Sequence, residues 1–454
     1  MKFEPKAFRK KKASVLGLGK SGVAAARLLR RKGFAVFGSD LRPRAQVKSA
    51  LGRLAGAMAW EGGGHGERVL KAGFAVKSPG LPSTAPILSR LRAAGVPVFS
   101  EMEIGLAFCP KAELVAITGT NGKTTTTALT AEIFRQGLPR GRKAHLAGNI
   151  GVPLCDKVLQ VKPKDVLVIE VSSYQLEDSR SLRPRAAALL NLTADHVDHH
   201  GSMLAYIEAK ARLFREQKEG DFCVFNAEDP LVFKLSRRCR CRRLYFGRKG
   251  GYSHAWVDEG RIKVRLPGQK EVSFTPPALP GTHNLENAMA AVLLGLGWGI
   301  KPQAIQKALR VFRGVPHRLE EAGAVHGIRC VNDSKATNVD STMVALKTFS
   351  KKNVLLIMGG LHKGSPYKPL RPLIESVVKG ILTVGSASGK IEEDLGGLAP
   401  IFPCGDLETA IRTALQIGAP GDVLLLSPAC ASFDQFRNFE DRGDRFKALV
   451  KAVR

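Results

Sequence analysis

Thr118-Gly119-Thr120-Asn121-Gly122-Lys123-Thr124-Thr125 stands between the apolar run ELVAI (113–117) and the helix-forming stretch TTALTAEIFRQ (126–136). A β-branched run, a glycine loop and a helical pattern in that order spell strand, loop and helix, the unit of a parallel α/β sheet. In such a loop the backbone N–H groups of Gly119, Thr120, Asn121 and Gly122 wrap phosphate oxygens. Lys123 reaches the outer phosphates, and the Thr124 hydroxyl is suited to Mg2+, with Thr125 behind it in the first helical turn. The general phosphate-loop pattern has glycine where this chain has Ile117. Strand, loop and helix nevertheless agree on a bound nucleoside phosphate.

The same alternation extends in both directions. ASVLGLG (13–19), FAVFGSD (34–40), DVLVIEVSS (165–173), AAALLNLT (186–193), FCVFNAED (222–229), NVLLIMGG (353–360), GILTVGS (380–386) and DVLLLSP (422–428) are continuous apolar runs separated by amphipathic stretches. Runs of this kind predict parallel strands covered by helices on both faces. Residues 242–275 alternate in polarity and predict extra β-strands within the middle segment. At 454 residues the chain exceeds what one core usually supports, and three α/β domains are expected, 1–110, 111–314 and 315–454. Cys109-Pro110 marks the first boundary and FRGVPHR (312–318) the second.

Composition narrows the class. Hydrophobic residues are 44% and charged residues 24%, which excludes a disordered chain. The formal charge of +30 suits either a polyanion binder or an enzyme of anionic substrates. The basic residues are scattered, and no basic patch interleaved with aromatics points to nucleic acid. Eight cysteines are dispersed without a CxxC pair, which predicts free thiols in a reducing compartment. The longest apolar stretch, AMAAVLLGLGWGI (288–300), is too short to span a bilayer, and a cytoplasmic location is expected.

Four other stretches carry candidate chemistry. Gly17-Leu-Gly19-Lys20-Ser21-Gly22 follows a strand and opens a helix, and Asp40 ends the next strand. That pattern cradles a diphosphate but does not name the nucleotide, so NAD, another diphosphate and a purely structural turn all remain open. Ser78-Pro79-Gly80 ends a later strand, either beside the same crevice or as a plain turn. Glu170 closes a strand, as a metal ligand near a triphosphate would, and as a surface glutamate would too. Asn191-Leu-Thr-Ala-Asp195-His196-Val-Asp198-His199-His200 concentrates imidazoles and carboxylates after a strand, which favours metal or phosphate chemistry. Without HExxH or a similar zinc spacing, Mg2+ is preferred over a transition metal.

Together these motifs resemble the Mur ligases, ATP-dependent amide-forming enzymes of peptidoglycan synthesis. The resemblance covers nearly the whole chain and rests on TGTNGKTT, Glu170, NLTADHVDHH, GTHNLEN (281–287) and PHRLE (316–320). NDSKATN (332–338) and SPACASFDQFRNF (427–439) are similar to the D-glutamate-adding branch, and no DNPR-like stretch of the diaminopimelate- or lysine-adding branches is present.

The resemblance implies a Rossmann-like N-terminal domain for a UDP substrate, a central phosphate-loop ATPase-type domain with a small extra β-sheet, and a Rossmann-like C-terminal domain for the amino acid. It implies addition of D-glutamate to UDP-N-acetylmuramoyl-L-alanine through an acyl phosphate, by a monomer. Gly19, Lys20, Ser21, Asp40, Arg42 and Ser78 are then the UDP side, with Asn149 and His196 nearer the muramoyl-alanine arm. Two Mg2+ ions fall to Thr124, Glu170, His196 and Lys210, the last as a CO2-derived carbamate, whereas the sequence by itself gives only a helix-surface lysine there. The phosphate loop with Asn287, His317, Arg318 and Asp333 contacts ATP, and Lys123, His196, Lys210 and Arg318 carry the catalysis. Lys335, Thr337, Lys363, Ser432 and Phe439 hold D-glutamate. A different amino-acid acceptor is the alternative, on a folylpolyglutamate-type or other Mur-type ligase; NDSKATN and SPACAS argue against it.

Overall fold

A computed structural model describes residues 2–82, 84–149, 151–193, 197–362, 364 and 366–453. His196 and Lys363 therefore lie outside the described residues. Three sheets follow one another along the chain. The first contains β1 (Ala13–Leu16), β2 (Val36–Asp40), β3 (Ala59–Gly62), β4 (Phe74–Lys77) and β5 (Val98–Ser100), all parallel, in the order β3-β2-β1-β4-β5. Order reverses between β1 and β4, which opens a crevice at their carboxyl ends.

The second sheet has nine strands: β6 (Glu113–Thr118), β7 (Ala144–Gly148), β8 (Val166–Glu170), β9 (Ala186–Leu189), β10 (Phe222–Asn226), β11 (Arg242–Phe246), β12 (Ala255–Asp258), β13 (Arg261–Val264) and β14 (Val272–Phe274). Its order is β14-β13-β12-β11-β10-β9-β6-β8-β7, so β6 and its phosphate loop stand between β9 and β8. The alternating patch became β11 to β14. β11 joins β12 through the single pair Phe246↔Ala255, and β12 to β14 then run antiparallel, extending the edge of the central sheet. Strands buried on both faces, such as β8 and β10, are the continuous apolar runs; the edge strands carry the alternation.

The third sheet holds β15 (Glu320–Val325), β16 (Ile328–Asn332), β17 (Val354–Gly359), β18 (Val378–Val384), β19 (Ile401–Gly405) and β20 (Val423–Leu426) in the order β15-β16-β20-β17-β18-β19. Only the β15–β16 hairpin is antiparallel.

Packing groups the chain into two compact units, residues 1–278 with 283–312, and 279–282 with 313–454. The first two sheets share one unit because the helix Glu101–Phe108 is buried between them. Glu103 is capped by Ser100 and accepts from the backbone N–H groups of Arg180 (2.6 Å) and Ser181 (2.7 Å) and from the Ser181 hydroxyl (2.7 Å). Glu101 accepts the Cys155 N–H at 2.7 Å, and burial raises its carboxyl to about 7. Lys77 pairs with Asp178 at 2.7 Å and Arg27 with Asp156 at 2.6 Å across the same joint. No helix of the described residues is long and apolar enough to cross a membrane.

Candidate functional site

The glycine cradle begins where β1 ends. Gly17 adopts φ +78°, and a Cβ on Gly22 would lie 1.8 Å from the Gly17 carbonyl oxygen, so the close turn requires glycine at both. The helix Lys20–Arg31 starts here with Gly19 as its cap, leaving Lys20 exposed and Ser21 half-buried at the mouth. Ser78 donates its hydroxyl to the Gly17 carbonyl at 2.6 Å, so β4's end does border the cradle. Asp40 is tied into the protein. Its Oδ2 accepts the Leu18 N–H (2.6 Å) and Arg42 Nη2 (2.8 Å), and its Oδ1 accepts the Arg42 N–H (2.8 Å) and Nε (3.0 Å). Burial works to raise the Asp40 carboxyl, but those hydrogen bonds and the Arg42 charge outweigh it and hold the pKa at about 2. Asp40 thus fixes the loop backbone and aims Arg42.

The phosphate loop is closed on itself. Gly122 caps the helix Lys123–Gly137 at φ +79°, and Lys123 Nζ donates to the carbonyls of Gly119 (3.0 Å) and Thr120 (2.7 Å). Asn287, from the helix Thr282–Trp298, lies beneath the loop. Its Oδ1 accepts the Thr126 hydroxyl at 3.1 Å, and a Cβ on Gly122 would sit 2.1 Å from that oxygen. Asn191 Oδ1 accepts the Asn121 N–H at 2.7 Å, while Thr120 Oγ1 accepts the Thr193 N–H at 3.0 Å and lies 2.8 Å from Tyr206 Oη. The motif NLTADHVDHH is therefore attached to the phosphate loop at its first residues. Thr125 is buried in the first helical turn.

Three sequence-predicted residues meet at the end of β8. Thr124 Oγ1 donates to Glu170 Oε2 at 2.7 Å, and Asn149 Nδ2 donates to Glu170 Oε1 at 2.9 Å. Glu170 is 3% exposed, and among the described residues no cation pairs with it. A buried carboxylate that accepts from neutral donors, one of them a hydroxyl, is the oxygen-ligand chemistry that Mg2+ takes. Lys210, from the helix Met203–Ala211, is 1% exposed rather than on the surface. Its Nζ donates to the Gly119 carbonyl at 2.8 Å and sits 4.7 Å from the Tyr206 ring centroid. The fold thus brings Lys210 to the phosphate loop.

The second unit carries its own cluster. His317 (φ +62°) is buried, its ring against Asn332 Nδ2 at 3.1 Å and against Gly443, where a Cβ would meet Nδ1 at 2.1 Å. Asp333 accepts from Ser427 Oγ (2.8 Å) and the Leu319 N–H (3.2 Å); burial raises its carboxyl to about 6 against the opposing charge of Arg318. Arg318 Nε is buried with no partner among the described residues. Lys335 Nζ stands 5.8 Å over the half-buried Phe439 ring, Thr337 is half-buried, and Ser432 is buried.

One residue here has no precedent in the motifs. Arg442, 1% exposed, donates to Ser334 Oγ (3.0 Å), the Ser334 carbonyl (2.9 Å) and the Cys430 carbonyl (3.2 Å). It ties NDSKATN to SPACAS, and burial lowers its pKa to about 10. In sequence it is one arginine among many in FEDRGDRF; only the tertiary fold singles it out.

A phosphate loop among the parallel strands of the central sheet, a glycine cradle on a preceding sheet and a separate α/β unit define a phosphate-loop α/β protein with two further sheets. Family models match all three regions: the Mur ligase MurD-like N-terminal domain over residues 11–100, the Mur ligase middle domain over 117–295 and the Mur ligase glutamate ligase domain over 317–430. The chain belongs to the Mur ligase family. Within it, the UDP-N-acetylmuramoylalanine–D-glutamate ligase of Elusimicrobium minutum is 44% identical, aligned over 99% of this chain and 100% of its own length. The enzyme of that name from Anaeromyxobacter dehalogenans is 44% identical over 97% of each. Among solved structures, the UDP-N-acetylmuramate-alanine ligase of Thermotoga maritima superposes with a TM-score of 0.62 at 20% identity, covering 98% of this chain and 100% of its own. A MurF ligase from Thermotoga maritima in complex with ADP gives 0.59 at 18%, over 92% and 95%. These two show the shared fold.

Proposed function

We propose that this chain is an ATP-dependent ligase that joins D-glutamate to the alanyl carboxylate of UDP-N-acetylmuramoyl-L-alanine, a step of peptidoglycan precursor synthesis. The observation that carries the nucleotide chemistry is the phosphate loop with its buried Thr124–Glu170 pair at 2.7 Å. The full-length relatives support the choice of substrates. We assign three domains with edges near residues 110 and 314, working in the cytoplasm as a monomer.

A carboxylate resists attack by an amine at neutral pH. Transfer of the γ-phosphoryl of ATP to it gives an acyl phosphate; the D-glutamate amine then adds to that carbonyl and expels phosphate. Such a reaction needs positioning and charge neutralisation more than covalent help. In this reading the loop N–H groups hold the phosphates, and Lys123 leaves its loop carbonyls to pair with the outer phosphate. Asn287 supports the loop from below. Arg42, Ser78 and the N-terminus of helix Lys20–Arg31, with Gly19, Lys20 and Ser21, hold the diphosphate of the UDP substrate, while Asp40 serves the same site by fixing the loop backbone and aiming Arg42. Asn149 and His196 serve the muramoyl-alanine arm, while His317, Arg318 and Asp333 contact ATP. Lys335, Thr337, Lys363, Ser432 and Phe439 receive D-glutamate on the platform that Arg442 organises.

Thr124, Glu170, His196 and a carbamylated Lys210 would hold two Mg2+ ions, which supply charge neutralisation for the phosphoryl and acyl oxygens. Carbamylation would turn the Lys210 ammonium into an anion, and its contact with the Gly119 carbonyl would be replaced. The test is Ser432→Ala kinetics. Loss of one charge-assisted hydrogen bond, about 1.5–3 kcal/mol, should raise KM for D-glutamate by about one to two decades and leave KM for ATP unmoved. An equal rise in both would remove Ser432 from the acceptor site.

A further inference from the structure

Glu177 ends the helix Ser173–Glu177, and His199 and His200 end the helix Val197–His200. Neither stretch shows a zinc spacing, yet the fold brings them together. His199 Nε2 lies 3.1 Å from Glu177 Oε2, and His200 Nδ1 lies 3.7 Å from the same oxygen. One ligand atom from each of the three lies within 4.8 Å of the other two. In a tetrahedral zinc site with bonds of about 2.0–2.1 Å, neighbouring donors stand roughly 3.3 Å apart. The cluster is thus within a few tenths of an ångström of that spacing on its two glutamate edges.

The surroundings are those of a held ligand set. His200 Nε2 is 3.0 Å from Ser173 Oγ. With the serine accepting, the ring proton sits on Nε2 and the Nδ1 lone pair faces Glu177, the outer-shell arrangement that fixes metal-bound histidines. The Tyr174 ring packs on both imidazoles, at centroid distances of 4.2 and 5.7 Å. The side chains of His200 and His199 are 2% and 11% exposed and that of Glu177 is 29%, so the two imidazoles are held inside the protein and the carboxylate reaches toward the surface. Two imidazoles and one carboxylate favour zinc and its late first-row neighbours over Mg2+, which takes oxygen donors such as Thr124 and Glu170.

We propose that Glu177, His199 and His200 form a binding site for a divalent cation of the zinc type, distinct from the oxygen-ligand pair of the phosphate loop. The site stands whether or not the ligase assignment holds. The Tyr206 ring, 5.5 Å from His200, links it to the phosphate loop through the Tyr206–Thr120 contact.

The test is titration of untagged full-length protein with Zn2+ against a chromophoric chelator, followed by the visible spectrum of the Co2+ form. One equivalent of Zn2+ should bind, with a Co2+ spectrum free of thiolate charge-transfer bands. His199→Ala and Glu177→Gln, on different helices, should each lose it, and Ser173→Ala should weaken it by about 10- to 100-fold. Circular dichroism checks each fold, and if one variant is unfolded the other decides. Glu170→Gln should keep the equivalent, as should a Cys239→Ser, Cys241→Ser double variant, whose sulfurs lie 3.0 Å apart and are the competing soft donors. Absence of a stoichiometric site, its retention in folded His199→Ala or Glu177→Gln, or its loss in Glu170→Gln or the cysteine variant would overturn the proposal.

Discussion

Replacing Glu170 by Gln separates the metal reading from a structural one. In the ligand-free chain the change is mild. The glutamine carbonyl can accept from Asn149, as Oε1 now does at 2.9 Å, while its amide donates to the Thr124 hydroxyl, which reverses its role from the present 2.7 Å bond. No cationic partner is orphaned among the described residues, so metal-free stability should move by less than about 1 kcal/mol. With Mg2+ and a non-hydrolysable ATP analogue at a hundred times the dissociation constant, the parent chain gains about 2.7 kcal/mol. Loss of the carboxylate ligand, worth about 1.4–2.8 kcal/mol, weakens binding roughly 10- to 100-fold, and the same additions then yield only about 0.4–1.4 kcal/mol. Thermal unfolding reads the difference at roughly 2 °C per kcal/mol for a unit of this size. A Glu170→Gln chain with the full parental shift would refute Glu170 as a metal ligand. A large loss of metal-free stability would show that it serves the fold.

Three further outcomes follow from particular contacts. Gly122→Ala places a side chain at φ +79° and 2.1 Å from Asn287 Oδ1, so it should cost about 1–2 kcal/mol for the backbone and more for displacing Asn287, with a higher KM for ATP; unchanged melting and KM would contradict the loop geometry. Glu101 has its pKa raised by burial from 4.5 to about 7, so its contribution is present below pH 4.5 and is lost as pH rises to about 7, a loss of roughly 3 kcal/mol. Urea unfolding should show that loss in the parent and a flatter profile in Glu101→Gln; identical profiles would place the ionisation elsewhere. Lys210→Ala should be nearly inactive and regain part of its rate with acetate or formate, and full activity without any response to them would return Lys210 to a structural role.

What could be read from the sequence was what is local. Nine apolar runs became β1, β2, β6, β8, β9, β10, β17, β18 and β20, because a strand buried on both faces needs an unbroken apolar sequence. The two glycine loops were legible because their backbone geometry excludes other residues at Gly22 and Gly122. β7, with its mixed AHLAG, was not among those runs, since its burial is only partial. Nor could spacing reveal that Glu101 and Glu103 weld the first two sheets into one unit, that Arg442 spans two motifs almost a hundred residues apart, or that Glu177 meets His199 and His200. Those depend on tertiary contacts between helices whose sequences are individually ordinary. Lys210 shows the same limit, for a helix-surface lysine and a fully buried one look alike in TyrIleGluAlaLys.

ADP release from the purified chain with ATP, Mg2+, UDP-N-acetylmuramoyl-L-alanine and D-glutamate, each omitted in turn, decides whether the chain is a D-glutamate-adding ligase. Sustained turnover is expected with all four, with one ADP per amide formed, loss of turnover when either acceptor or UDP substrate is absent, and none in Lys123→Ala. Turnover that ignores D-glutamate, that prefers another amino acid, or that survives in Lys123→Ala would contradict that assignment.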